Sequence, residues 1–189
     1  MNHVEVSSFE EMYRTDADPW CFASSAYEQR KYDLTAAALP KARYERGFEP
    51  ACAIGELTIR LAPRCQTLVA MDAAPSAWRA ARLRCAASPG VEVRLGELPA
   101  DWPEGRFDLV VLSELGYYFD PEELALLRDR AIGSLEQGGT LIAVHWRGRS
   151  ADHLLHGDEV HAVLATGDDI TPIASYLEAR FRLDVWLRT

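Results

Sequence analysis

The chain has no run of basic residues, no paired cysteine motif and no apolar stretch near membrane-spanning length. Each absence excludes something. A net charge of −9 without clustered Lys and Arg argues against a nucleic-acid backbone as the main partner. The four cysteines, Cys21, Cys52, Cys65 and Cys85, are scattered and form no C-x-x-C. They read as reduced thiols, which places the expected compartment in the cytoplasm. Without about 20 consecutive apolar residues no membrane helix is expected, and Met1-Asn2-His3-Val4-Glu5 does not read as a signal peptide. The chain also lacks G-x-G-x-x-G and the lysine of a phosphate-binding loop, which disfavours a dinucleotide or a triphosphate. Internal repeats and low-complexity tracts are missing too. What is present is 189 residues, 48% hydrophobic and 26% charged, enough for one globular domain.

The centre of the pattern is Phe48-Glu49-Pro50-Ala51-Cys52-Ala53-Ile54-Gly55-Glu56-Leu57-Thr58. It reads as a strand, a turn of small residues and a helix start. Such a turn lets backbone approach a ligand closely, and a helix N-terminus offers unpaired N–H groups. Asp72 follows about 20 residues on, at the end of the apolar run Thr67-Leu68-Val69-Ala70-Met71. Doubly wound folds place a ribose-binding acid there. A ligand with adenosine but no phosphate fits this set.

Around that centre the chain alternates strand and helix. Phe9, Met12 and Tyr13 share one face of a short helix, and Asp16-Ala17-Asp18-Pro19-Trp20 is a turn. Ser24 or Ser25 caps a second helix with Tyr27, Arg30, Lys31 and Leu34 on one face. Trp20 either packs on the core or folds over a ligand as part of a lid. Residues 35–46 read as a helix or half-helix ending near Arg46-Gly47. The expected strands are 48–53, 67–71, 91–95, 107–112 and 140–146. The expected helices are 55–63, one opening at Pro75, one from Asp120-Pro121 to Leu135, and 158–165. Gly96 to Gly105 reads as a loop. Residues 173–178 and 181–187 alternate as a terminal hairpin. The architecture is α/β. Its ligand side gathers Glu49 to Gly55, Asp72, Gly96-Glu97-Leu98, Ser113-Glu114-Leu115-Gly116-Tyr117-Tyr118 and His145-Trp146.

The sequence resembles the class I S-adenosylmethionine-dependent methyltransferases, and within them the nodulation-type (NodS-like) N-methyltransferases. The resemblance runs from about Asp18 to Arg188. Asp18-Pro19-Trp20, Tyr27-Glu28-Gln29-Arg30, Phe48-Glu49-Pro50, Ile54-Gly55-Glu56-Leu57-Thr58 and Trp102 to Asp108 carry it. So do Ser113 to Tyr118, His145-Trp146, Gly157 to His161 and Arg182 to Trp186. It implies a Rossmann-like, seven-stranded, mostly parallel sheet with a C-terminal antiparallel hairpin and an N-terminal helical lid. The domain would be single, 1–189, with the lid at 1–34 and the core at 35–189. It implies S-adenosylmethionine as cofactor, leaving as S-adenosylhomocysteine. The implied cofactor residues are Trp20, Arg30, Glu49, Ala51, Cys52, Ala53, Gly55, Asp72, Ala73, Glu97, Leu98, Ser113 and Glu114. Acceptor chemistry is expected at Glu114, Tyr117, Tyr118 and His145, on an amino sugar or related amine, with no membrane or nucleic-acid partner.

One departure stands out. The family expects Glu-x-Gly-Cys-Gly/Ser-x-Gly, and this chain has Ala51 where the first glycine belongs, with Ala53 in place of the second small residue. A β-region conformation at Ala51 would cost little, whereas a positive φ would store strain of about 1–3 kcal/mol. The second reading is therefore a methyltransferase-like protein that is non-catalytic, or performs other chemistry as a partner of another protein. His153, His156, His161, Asp158 and Glu159 match no strong metal template, so no metal is expected, and lining an acceptor pocket is the better reading. Asp158 may be read simply as a helix cap.

Overall fold

A computed structural model describes residues 5–189, so most of the Met1–Glu5 stretch weighed as a leader lies outside the described residues. The strands form one seven-stranded mixed sheet in the order β3-β2-β1-β4-β5-β7-β6. They are β1 (Tyr44–Pro50), β2 (Cys65–Asp72), β3 (Val91–Leu95), β4 (Phe107–Ser113), β5 (Leu135–Trp146), β6 (Ile170–Leu177) and β7 (Phe181–Arg188). The chain divides into two compact units, Glu5–Pro103 and Glu104–Thr189.

In the N-terminal unit, β1, β2 and β3 pair in parallel. Their centres are apolar on both faces, as parallel strands covered by helices must be: Phe48, Leu68, Val69, Ala70 and Met71 are all buried. Helix α1 spans Val6–Thr15 and α2 spans Ala26–Ala37. Ser25 is the cap of α2, its hydroxyl accepting from Glu28 N–H. Helix α4 (Pro75–Arg84) opens on proline and presents Ala77 and Ala81 to the core.

Three expectations are corrected here. Residues 35–46 are not one helix. Helix α2 ends at Ala37, ahead of Pro40, and Tyr44 already belongs to β1 with 0% exposure. A buried aromatic at the sheet outweighs the helical propensity of the alanines before it. The expected helix over 55–63 shrinks to α3 (Thr58–Leu61) and a 3-10 turn through Pro63. The turn after β1 therefore has little helix dipole behind it.

In the C-terminal unit, β4 and β5 are parallel, and β7 runs antiparallel between β5 and β6. Asp120 caps α5 (Pro121–Ser134) through Glu123 N–H at 2.9 Å. The third correction is that β5 starts at Leu135, not Thr140. Its register on β4 shifts between Leu135 and Thr140, where Gly138 takes a positive φ. Helix α6 (Gly157–Leu164) carries a capping box from His156 and Glu159. His156, not Asp158, is thus the cap residue. Asp158 instead accepts from Arg147.

Candidate active site

In the N-terminal unit the turn after β1 alternates. Ala51, Ala53 and Gly55 have φ of 53°, 51° and 82°. The two alanines adopt the left-handed conformation that glycine takes freely. Gly55 has a further constraint, since a Cβ there would lie 3.2 Å from Ala81 Cα.

Several bonds hold this turn. Asp72, at the end of β2, accepts from Ala53 N–H at 2.8 Å and from Ala74 N–H at 2.9 Å. Cys52 N–H donates to Met71 O, and Arg84 donates to Ile54 O. The Asp72 carboxylate thus closes the turn and holds the residue that precedes α4; with three backbone donors, one of its four lone pairs is left for a further donor. Ala73 lies between these contacts. Burial pushes Asp72 up to about 6, against the pull of backbone N–H bonds from Ala74, Ala53 and Ala73.

Glu49 sits behind the turn with 2% exposure. Its Oε2 is buried without a hydrogen-bond partner. Burial, then the charge of Asp72, pushes its carboxyl up to about 8. Cys52 is also buried, which drives its thiol well above the usual range.

Trp20 follows the first of its two readings, packing on the core. It packs with Tyr13, Phe22, Ala74 and Ala77 in an apolar cluster that includes Ala53 of the turn. Asp18 fixes the Trp20 turn by accepting from Phe22 and Ala23 N–H. Glu10 ties α1 to the start of α4 by accepting from Ser76 N–H and its hydroxyl, both at 2.8 Å. Arg30 is exposed on α2. Glu97 and Leu98 follow β3, with Glu97 N–H held by Asp101 at 2.8 Å. Gln29 and Glu56 belong to the family motifs, but the sequence assigns neither a role in the site. Glu56, 9% exposed, accepts from Gln29, Arg60 and Arg84, linking α2, α3 and α4 behind the turn. Nothing in a single sequence marks so distributed a network.

The C-terminal unit holds a second cluster. Ser113, 9% exposed, ends β4, and Glu114 follows at φ 53°. Glu114 Oε2 accepts from the Tyr117 hydroxyl and from Trp146 N–H at 3.1 Å. Tyr118 stands edge-on to Tyr117. Burial, with the charges of Asp152 and Glu114, pushes the Tyr118 hydroxyl up, so it stays neutral.

His145 is fully buried, in a chain of bonds that fixes every proton. Gly116 N–H donates to His145 Nε2 at 3.0 Å, so that nitrogen is unprotonated. His145 Nδ1–H therefore donates to His161 Nε2 at 3.2 Å. His161 Nδ1–H then donates to Asp184 Oδ2 at 2.7 Å, which Arg182 also contacts. His145 thus holds the Gly116 turn, and both its nitrogens are committed. His153, His156 and His161 have separate roles: a ring stack on Tyr117, the cap of α6 and the Asp184 bond.

The strand order and the braced turn between β1 and the acid ending β2 define a class I methyltransferase fold. Crystallised N-methyltransferase NodS from Bradyrhizobium japonicum, in complex with S-adenosyl-L-homocysteine, shares it with a TM-score of 0.85 at 20% identity, over 98% of this chain and 99% of that one. A candidate methyltransferase from Pseudomonas syringae is 44% identical with a TM-score of 0.78, over 87% of this chain and all (100%) of that one.

The chain belongs to the Nodulation protein S (NodS) family, whose family model matches residues 6–166. Nodulation protein S of Sinorhizobium fredii is 28% identical over 130 residues, 67% of this chain and 59% of the relative. That of Bradyrhizobium diazoefficiens is 31% identical over 130 residues, 66% of this chain and 61% of the relative. The matches thus span about three-fifths of the curated relatives' length.

Proposed function

We propose that the protein is an S-adenosylmethionine-dependent methyltransferase acting on a small molecule, and that it N-methylates an amino sugar or related amine. The observation that carries this reading is the turn at Ala51, Ala53 and Gly55. It keeps the positive-φ pattern despite two alanines, and Asp72 braces it. The residues present fit the cofactor. Asp72 keeps a lone pair for a ribose hydroxyl, and Glu49 keeps a buried oxygen without a partner. When bound, S-adenosylmethionine supplies an electrophilic methyl on a sulfonium. Trp20, Arg30, Cys52, Ala73, Glu97, Leu98, Ser113 and Glu114 complete the proposed cofactor residues. The intact turn gives no support to a non-catalytic partner protein.

The chain's own work is orientation and water exclusion. Tyr118 is the proposed aromatic wall for the acceptor, since ring faces attract cationic groups, and Tyr117, 4% exposed and edge-on to it, supports it. Glu114 orients Tyr117 through its hydroxyl and is itself fixed by Trp146 N–H. His145 acts by holding Gly116. The proposed organisation is a single domain over 1–189 with a lid at 1–34. The cytoplasm is the proposed location: all four cysteines are free, and among the described residues no helix is long and apolar enough to cross a membrane.

Calorimetric titration with S-adenosylmethionine and S-adenosylhomocysteine tests the first step. Binding of both at about micromolar Kd is expected; absence of heat and of any thermal shift at about millimolar ligand would overturn the reading. Transfer of labelled methyl to a panel of amino sugars then tests the acceptor.

A further inference from the structure

The loop between β5 and α6 carries an imidazole that nothing so far has used. The ring of His153 stacks on Tyr117, with centroids 3.8 Å apart and planes at 15°. Tyr118 and Trp146 stand edge-on to it at 5.2 and 5.9 Å. The loop is pinned beneath, because Leu154 and Leu155 N–H both donate to Tyr117 O, at 2.8 and 3.3 Å. His153 is thus held by three aromatic neighbours and by backbone bonds of its loop, one of them from its own N–H to Ser150 O at 3.3 Å. Its Nδ1 is buried without a partner, and so is Oδ1 of the adjoining Asp152.

The other polar groups of this cluster are committed. Glu114 accepts from the Tyr117 hydroxyl and from Trp146 N–H. His145 uses one nitrogen on Gly116 and the other on His161. His156 caps α6. An imidazole whose Nδ1 is buried without a hydrogen bond costs stability that a phenyl ring in the same stack would not. We propose that His153 accepts the proton from the acceptor nitrogen during methyl transfer. This deepens the reading above and rests on its amine acceptor.

The step balances. The nitrogen lone pair forms the new N–C bond, and the C–S bond of the sulfonium breaks with its electron pair remaining on sulfur. The proton displaced from nitrogen passes to the imidazole lone pair and then to solvent. The groups facing the ring set its charge. Burial holds it below the ordinary histidine value, Asp152 and Glu114 favour the imidazolium that forms, and His156 opposes it. Tyr117 and Tyr118 add no charge. The base form therefore prevails at neutral pH, and turnover falls as pH drops through the lowered value.

The test uses His153→Phe, which keeps the stack, and His153→Gln. Both should bind S-adenosylhomocysteine within about twofold of the parent, and both should lose about 100-fold or more in single-turnover methylation of glucosamine, with KM changed far less than kcat. The amine's own protonation sets an acidic limb in the parent and both variants; the further fall through the His153 value should be present in the parent and missing in both variants. Retention of full rate or of that further fall overturns the proposal.

If the parent binds S-adenosylhomocysteine but leaves glucosamine unmethylated, the amino-sugar acceptor fails while the base is still decided by a second measurement. Long-range ¹H–¹⁵N spectra of the bound protein should show the His153 ring titrating below about pH 6.5 and shifting when glucosamine is added. A ring locked in one tautomer from about pH 5 to 9, deaf to the amine, overturns the role.

Discussion

Replacing Ala51 with glycine should make the protein more stable, although it removes atoms from a half-buried position. Ala51 has φ 53°, and an L-residue with a Cβ loses about 1–2 kcal/mol in that conformation. Glycine escapes that cost but loses about 0.5–1 kcal/mol more backbone entropy on folding. The expected net gain is about 0.5–1 kcal/mol, a rise in Tm of about 1–4 °C for a chain of this size. Ala53, at φ 51°, provides the control. Its methyl packs in the cluster with Trp20 and Ile54, and losing a buried methyl costs about 0.8 kcal/mol. Ala53→Gly should therefore be close to neutral. Differential scanning calorimetry of both variants reads the contrast. Affinity gives an independent check. The strain lies in the turn's own backbone and belongs to free and bound protein alike, so relieving it should leave the Kd for S-adenosylhomocysteine within about threefold. A drop in Tm for Ala51→Gly would refute the strain argument. A gain of about tenfold or more in affinity would show that the Ala51 methyl obstructs the ligand.

The buried carboxyls of the same unit predict a pH dependence. Glu49 and Asp72 titrate at about 8 and about 6 in the folded chain, above their ordinary values of 4.5 and 3.8. The folded state therefore holds these protons longer than the unfolded state, so their contribution to stability falls as pH rises from about 4 to about 8. Denaturant titrations across that range should show this decline, and Glu49→Gln should flatten its upper part. At neutral pH a cationic ligand that favours the ionised forms should release protons on binding, detectable by calorimetry in buffers of different ionisation enthalpy. Asp184 behaves oppositely. Although burial raises it, the His161 bond and nearby positive charge hold it below its usual value, so its stabilisation is present above about pH 4 and lost as pH falls through the lowered value. Asp184→Ala should cost about 1–3 kcal/mol by leaving His161 Nδ1–H buried without an acceptor, read as a lower midpoint in urea.

The features readable from sequence were those with a local cause. The Asp120-Pro121 helix start, the strand at Val91–Leu95, the loop after it and the closing hairpin each follow from neighbours in the chain. The length of β5 was hidden by Gly138-Gly139, which read as a stop and proved to be an irregularity within a strand. Residues 35–46 misled because alanine favours helix wherever packing is silent, and the packing of Tyr44 is a property of the sheet. The alanines of the turn were visible as a departure, but only backbone angles show that they sit in the left-handed region. The partnership of His145, His161 and Asp184 joins three elements with separations of 16 and 23 residues. No periodicity marks it. Asp184 in its alternating strand reads as an outward polar residue, yet it is 4% exposed.

That partnership also orders events during folding. The Gly116 turn is made of residues adjacent in the chain and could form early, but its N–H finds its acceptor only through a histidine of β5. That histidine is held by a second one on α6, which waits for an aspartate on β7. Strand β7 must insert between β5 and β6 before the relay closes. Non-local pairings of this kind are the slow part of assembling a mixed sheet. The turn beside Glu114 and Tyr117 is accordingly completed late, so a chain whose last two strands have not paired has a folded framework without a finished acceptor surface.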